Sequence, residues 1–362
     1  VMTVRWGVVA TSGYKLLTLC FIAILFVSGC GTEAANSNQD EVVYVNEDKE
    51  ERIAQRLQDV QSKPYTIAVV PKLTGISYYE AAEEGAMEAA EDLNVNVIFT
   101  GPPVGDVTLQ MKVIEELIAR KVDAIAVSAN DPFKLLPVLK KAREQNIKVI
   151  TWDGDTDPIG REFFVNMVDP QTLGRHLMDN LALSLNEKGK FAIITSSLTA
   201  SNTTDWIKWI KIQQKEYYPE MKLTEIVSSN DSYDNAYEAA KYLMNEYPDL
   251  SGIIGVSAVA PSAAAKAIQA AGKSNSVKVV GLSLPNAMRD YIKEGVTPNI
   301  TLWSPQRLGY LTVALAKNLL DGEFPYDQQE IPKVGNIRVK DNVVIMGVPI
   351  VFTKENIDQY DF

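Results

Sequence analysis

Cysteine and histidine are almost missing: the 362 residues include two cysteines, Cys20 and Cys30, and one histidine, His176. That scarcity excludes a disulfide framework and, once the chain is processed at Cys30, leaves no thiol nucleophile. His176 sits in a helical stretch, QTLGRHLMDNLALSL, where it reads as a surface or packing residue. Clustered positive charge is also lacking. Lys and Arg total 35 against 46 Asp and Glu, for a net charge of −11. Phosphate backbones require clustered bases, so no nucleic-acid partner is expected, and the acidic surface reads as a solubility device. No G-x-G-x-x-G or Walker sequence occurs. GVSAV (255–259) and GLSLP (281–285) each fail the last glycine of a G-x-S-x-G elbow. The residues thus point to no metal site and no cofactor, and of the catalytic sets only a paired-carboxylate hydrolase stays open, which acids this common do not by themselves support.

Long apolar runs are absent as well. The apolar stretch 16–27, preceded by Arg5 and Lys15, is too short to span a bilayer but suits the central region of a signal peptide. It ends Val27-Ser28-Gly29-Cys30, which resembles a bacterial lipobox with Cys30 as the lipidated residue. An ordinary signal peptide and an uncleaved anchor are the other readings. Cys20 lies inside the apolar region, so a processed chain keeps one cysteine, carrying lipid. Residues 31–63 are polar and acidic and read as a flexible tether, with a short helix near 50–60. The expectation is an exported protein whose membrane contact is the lipid anchor alone, facing a periplasm or the medium.

From 65 onward a regular cadence takes over. TIAVV (66–70), VNVIF (95–99), DAIAV (123–127) and IKVITW (147–152) alternate with helical patterns over 77–93, 106–120 and 132–145. This is a βαβ series, implying a parallel sheet covered on both faces. In the first helix Ala82, Gly85, Ala86, Ala89 and Ala90 form a small-residue face for close packing on a sheet. The cadence restarts with KFAIITS (190–196), LTEIVS (223–228), GIIGVS (252–257) and VKVVGLS (277–283), separated by helices over 202–217, 233–247 and 261–271. A chain of this length divides its core, so two similar doubly wound lobes are predicted rather than one long sheet. Another amphipathic helix covers 305–320, and short strands fall near 335–339 and 343–347.

Ligands of such folds lie beyond the carboxyl ends of strands. Lys72, Asp153, Thr199, Ala258 and Ser283 stand at or past such ends, from both halves, which places a site between lobes. The segment VITWDGDTDP (149–158) runs a buried-type strand into three acids. As a calcium loop it fails, because Pro158 and Phe164 stand where glycine and glutamate are needed. Asp155 and Asp157 read as solvent-facing turn residues, whereas Asp153 directly follows the strand and can enter a cleft. Further hydrogen-bonding and aromatic candidates are Lys72 as donor, Tyr78 and Tyr79, the hydroxyl and amide groups of Thr199, Asn202 and Thr203, and Trp303. Donors and acceptors beside aromatic faces suit a polyol. The tyrosines could instead pack their helix on the sheet, and Trp303 fits pocket and core equally.

PKLTGISYYEAAEEGAMEAAEDL (71–93), VSANDPFKL (127–135), VITWDGDTDP (149–158), GLSLPNAMRDYIKEG (281–295), LWSPQRLGYLTVALAKNLL (302–320) and VFTKENIDQYDF (351–362) carry a further signal. Together they resemble the type I periplasmic sugar-binding proteins of ABC importers, in the autoinducer-2 and rhamnose-binding branch. The resemblance covers nearly all of 65–362. It implies two Rossmann-like lobes joined by a three-crossover hinge, with crossovers near 166–170, 300–304 and 328–334. The lobes would be 64–167 with 304–330, and 168–303 with 331–362, following the segments 1–30 and 31–63. Lys72 and Asp153 match the branch's ligand-binding Lys and Asp, and Ala258 a backbone-contact Ala. Asn202-Thr203 stand where the branch has Asp-Gln, Val256 where it has Pro, and Ser283 where generic sugar-binding relatives have Asp. These departures leave a pentose, a deoxyhexose or another polyol as open as the furanosyl signal. The implied partners are a small hydroxylated ligand and an ABC permease with its ATPase, the receptor itself being a monomer. A signalling co-receptor using the same cleft and an exported sugar-acting enzyme are the alternatives.

Overall fold

A computed structural model describes residues 63–362. The signal peptide, Cys30 and the tether lie outside the described residues apart from Lys63, the last residue expected in the tether. Among the described residues no helix is long and apolar enough to cross a membrane. The βαβ cadence appears as expected. Strands β1 (Thr66–Val70), β2 (Asn96–Phe99), β3 (Ala124–Val127), β4 (Lys148–Trp152) and β5 (Phe164–Val168) alternate with helices Ser77–Leu93, Val107–Ala119 and Leu136–Glu144. The sheet runs β2-β1-β3-β4-β5, parallel throughout. Its order reverses between β1 and β3, the switch point at which doubly wound sheets bind ligands.

Strand alternation explains the two-sided cover. Ile67, Val69, Ala124, Ala126, Ile150 and Trp152 join one apolar cluster, while Ala68, Val70, Ile125, Val127 and Val149 join the other. Successive side chains of a strand point to opposite faces, so a strand buried on both reads as one continuous hydrophobic run. On the second face lie Ile114, Leu117, Ile118 and Leu139, from helices Val107–Ala119 and Leu136–Glu144. Against the first pack Ser77–Leu93 and the long helix Pro305–Leu320. These two helices touch backbone to backbone. A Cβ on Gly85 would stand 1.8 Å from the Gln306 carbonyl oxygen, and one on Gly309 1.9 Å from that of Ala82. The small-residue face, expected to pack on a sheet, supplies this helix–helix contact.

The second lobe repeats the plan. Strands β6 (Gly189–Thr195), β7 (Met221–Ser228), β8 (Leu250–Val256) and β9 (Lys278–Gly281) form a parallel sheet in the order β7-β6-β8-β9. It is covered by helices that include Pro170–Ser184, Ser201–Tyr217, Tyr233–Glu246 and Ala260–Ala270. His176 caps no chemistry. Its Nε2 lies 3.1 Å from Thr301 Oγ1 and 2.9 Å from Asn180 Nδ2, and burial pulls its pKa down.

The chain passes between lobes three times: from β5 into Pro170–Ser184, from β10 (Ile300–Leu302) into Pro305–Leu320, and from β14 (Val343–Gly347) into β15 (Ile350–Phe352). The resemblance implies passages near 166–170, 300–304 and 328–334; the structure has them at 168–170, 302–305 and 347–350. Residues 331–347, expected with the second lobe, return to the first: after the short antiparallel pair β11 (Glu330–Ile331) and β12 (Gly335–Asn336), β14 pairs parallel with the free edge of β5, and β13 (Arg338–Lys340) adds antiparallel outside it. The last passage is therefore at 347–350, after which β15 pairs antiparallel with β10. The reason lies in the edges. Strand β5 ends the βαβ series with an open edge, and Val344 and Met346 complete the apolar face beside it.

Candidate functional site

Lys72, Ser128 and Asp153 follow β1, β3 and β4 respectively, so the first sheet aims them at the same point. Gln110, fully buried on the helix Val107–Ala119, ties these loops together. Its Nε2 donates to the carbonyls of Pro71 (3.0 Å) and Ser128 (2.8 Å), and its Oε1 accepts from the Asn130 N–H (3.0 Å). Asn130 in turn donates from Nδ2 to the Lys72 carbonyl at 2.8 Å.

Asp153 occupies a sharp turn. Its N–H still bonds the Val165 carbonyl of the neighbouring strand (3.1 Å), but its φ is +57°, and the Gly154 N–H folds back onto the Trp152 carbonyl at 2.5 Å. Asp and Asn tolerate this left-handed geometry better than most residues. Gly154 has to be glycine, since a Cβ there would lie 2.8 Å from the Lys72 side chain and 2.9 Å from the Ala129 carbonyl oxygen. The turn swings the carboxylate out of the sheet into the cleft. There it accepts from Ser128 Oγ (2.6 Å), Tyr79 Oη (3.2 Å) and Tyr78 Oη (3.3 Å), and lies 3.5 Å from Lys72 Nζ. Lys72 and Asp153 are 4% and 3% exposed, so this is a buried pair, which only extra hydrogen bonds make tolerable.

Asp155 departs from its expected role. Rather than facing solvent, its carboxylate is held by the buried Arg161 guanidinium through two bonds of 2.7 Å. Thr151 Oγ1 donates to it as well. Asp157 caps the short 3-10 turn Pro158–Gly160 through the Ile159 N–H.

The second lobe meets this cluster directly. Lys72 Nζ donates to Asn202 Oδ1 at 2.9 Å, and the Asp155 N–H donates to Ser201 Oγ (2.8 Å), which donates back to the Asp155 carbonyl (3.0 Å). Thr203 is buried, with Oγ1 directed at the Ser197 and Ala200 carbonyls. An aromatic wall closes one side. Tyr78 stands edge-on to Tyr79 (5.1 Å between centroids) and to Trp303 (6.2 Å), and Trp303 lies 5.9 Å from Trp206. Trp303 Nε1 donates to Tyr78 Oη at 3.0 Å, so Trp303 serves core and cavity together. Burial, reinforced by Asp153, raises the pKa of both tyrosines, which keeps them as neutral donors.

Together these groups enclose a cavity of about 40 Å³ at the junction of the lobes. Of the residues expected at the site, Lys72, Tyr78, Tyr79, Asp153, Asn202, Thr203, Val256, Ala258 and Trp303 line it. Thr199 does not: it is exposed, its N–H bonded to Ser197 Oγ, at a neighbouring opening of about 220 Å³. It sits one residue before the turn that starts Ser201–Tyr217, and that turn carries it to the rim. Ser283 is turned away, its Oγ donating to the Ala258 carbonyl. Sequence reasoning missed Trp206 and Asp231. Trp206 is 3% exposed, and its Nε1 has no hydrogen-bond partner among the described residues. A buried donor at a cavity wall is costly unless something accepts from it. Asp231 had a legible signal, an acid three residues past the strand LTEIVS. Trp206 had none, because an apolar residue inside an amphipathic helix reads as core.

Two parallel α/β lobes with a polar, aromatic-walled cleft between their strand ends define a two-lobed solute-binding protein. The chain belongs to the periplasmic binding protein domain family, whose model matches residues 67–324. It is therefore a binding protein and not an enzyme. Among curated proteins it is 25% identical to the D-ribose/D-allose-binding protein of Pseudomonas aeruginosa, over 73% of this chain and 85% of that one. Among solved structures it is similar to an ABC transporter solute-binding protein from Clostridium phytofermentans with bound L-rhamnose. That match has 28% identity and a TM-score of 0.78, and covers 82% of this chain and 98% of the other. LsrB from Clostridium saccharobutylicum in complex with AI-2 matches at 26% identity and a TM-score of 0.78, over 82% of this chain and all of that one.

Proposed function

We propose that this chain is the sugar-binding receptor of an ABC importer, capturing a small sugar or sugar-like polyol between its lobes. The observation that carries the proposal is the Lys72–Asp153 pair, buried beneath Tyr78, Tyr79, Trp206 and Trp303 and bonded to Asn202 of the facing lobe. A sugar ring offers adjacent hydroxyls around an apolar face, and this cavity offers charged and neutral hydrogen-bonding groups beside indole and phenol rings. The relatives that bind ribose, rhamnose and AI-2 support the same ligand class. Trp206 Nε1 supplies a donor for a ring or hydroxyl oxygen.

Ligand entry requires hinge opening at the three crossovers. A solute touching both lobes favours the closed form by its differential affinity for it, and that form docks on a permease. The mature receptor is held to the outer face of the membrane through lipid on Cys30. Thermal shift with L-rhamnose, D-ribose, D-arabinose and AI-2 tests the ligand class. The expected result is a raised melting point with at least one, since a ligand at 100 times its Kd adds about 2.7 kcal/mol. Trp206→Phe should then weaken that ligand by about tenfold, the loss of one hydrogen bond, with little change in unliganded stability. No shift with any of the four at millimolar concentration would refute the proposal.

A further inference from the structure

Asp231 lies past the end of β7, where Asn230 and Asp231 both take left-handed φ values of +52° and +54°. Two such residues in succession turn the chain sharply and bring Asp231 to the wall of the cavity, across from Lys72 and Asp153. The two carboxylates are provided for differently. Asp153 takes three hydroxyl donors and the ammonium. The Asp231 carboxylate has no hydrogen-bond partner among the described residues. Burial pushes its pKa up to about 6, with Lys72 opposing the rise and Asp153 adding to it. Tyr78 and Tyr79 face it from the first lobe, and Asp106, Asp131 and Lys134 flank the neighbouring opening that it also lines. Asp231 is half-buried, and an acceptor with no donor in the protein gains a charge-assisted bond when a solute hydroxyl reaches it.

We infer that Asp231 is a ligand-reading residue of the second lobe, which with Asp153 opposite makes the cavity accept neutral polyols and reject sugar acids. One ammonium between two carboxylates leaves the walls with an excess negative charge once both are ionised. A carboxylate on the ligand would meet that charge at short range, whereas hydroxyls donate to both walls. This inference rests on the sugar-binding reading and adds to it the charge class of the ligand and a residue that sets it.

The test is calorimetry on the full chain at pH 7.5 with L-rhamnose, D-ribose, D-arabinose and D-galactose, and with L-rhamnonate, D-ribonate, D-arabinonate and D-galacturonate. The wild type should bind at least one neutral sugar and no acid. Asp231→Asn keeps the shape and tolerates the left-handed turn. It should weaken the bound sugar by tenfold or more and shrink the preference for neutral over acidic ligand. Asp231→Glu, which keeps the charge, should go on excluding the acids whatever its affinity for the sugar. If a sugar binds and Asp231→Asn stays within threefold of wild type, this inference falls while the sugar-binding reading stands. Binding of a sugar acid by the wild type overturns it too. If none of the eight binds and AI-2 gives no thermal shift, both fall.

Discussion

Removing the Asp153 carboxylate tests the electrostatic centre of the site. At 3.5 Å the attraction to Lys72 is about 5 kcal/mol at an effective dielectric of 20, most of it offset by desolvating both groups. What survives is asymmetric. Deleting one partner strands the other, typically at a cost of about 3–5 kcal/mol for a buried pair. Asp153→Asn leaves Lys72 with Asn202 as its remaining acceptor but keeps an oxygen for the Ser128 and tyrosine hydroxyls, so about 2–3 kcal/mol is expected. Asp153→Ala loses these too and forces alanine to φ +57°, adding about 1 kcal/mol. The informative quantity is the coupling in a cycle of Lys72→Met, Asp153→Asn and the double variant, read from urea unfolding by tryptophan fluorescence without ligand. It should be about 2 kcal/mol, because the double variant no longer strands a charge. A coupling under about 0.5 kcal/mol would mean that the two groups do not share one desolvated environment, and the account of the site would fail with it.

Two further outcomes concern the rest of the molecule. A carboxyl whose folded pKa of about 6 exceeds its ordinary 3.8 binds more protons when folded, so its contribution to stability declines as pH rises from about 4 to 6. Asp231→Asn should therefore match wild-type stability near pH 4 and exceed it by about 2 kcal/mol above pH 6, allowing for the partial exposure of the group. Urea midpoints across that range will check this, and a difference independent of pH would contradict it. Gly85→Ala and Gly309→Ala drive a methyl into carbonyl oxygens of the facing helix, and each should cost about 3 kcal/mol or more of stability with the sugar affinity of the folded fraction kept. Melting temperatures within a degree or two of wild type would show that these helices can separate freely.

Much of this was legible before any coordinates. Strand β1 and the helix Ser77–Leu93 coincide with their predicted bounds, because a β-branched run followed by alanines at helical spacing leaves little choice. That Lys72 and Asp153 line the cavity was legible because both follow the carboxyl ends of strands, which a doubly wound sheet turns toward one crevice. Asp155 was misread, since the guanidinium that neutralises it belongs to Arg161, six residues on, and nothing in a D-x-D-P turn announces that partner. Asp231 was overlooked for the opposite reason. In a chain with 46 acids, one more in a loop carries weight only when its neighbours across the cleft are known.

The sequence by itself determined the order and type of the elements, the division into two similar lobes and the residues at their strand ends. Those follow from local periodicity and turn chemistry. Only the tertiary structure decided that 331–347 returns to the open edge of β5, that Thr199 stands at the rim, and that Trp206 and Asp231 join the wall. Each of these depends on which surfaces meet, and a sheet edge, a buried donor or an unpaired carboxylate acquires its meaning from residues distant in the chain.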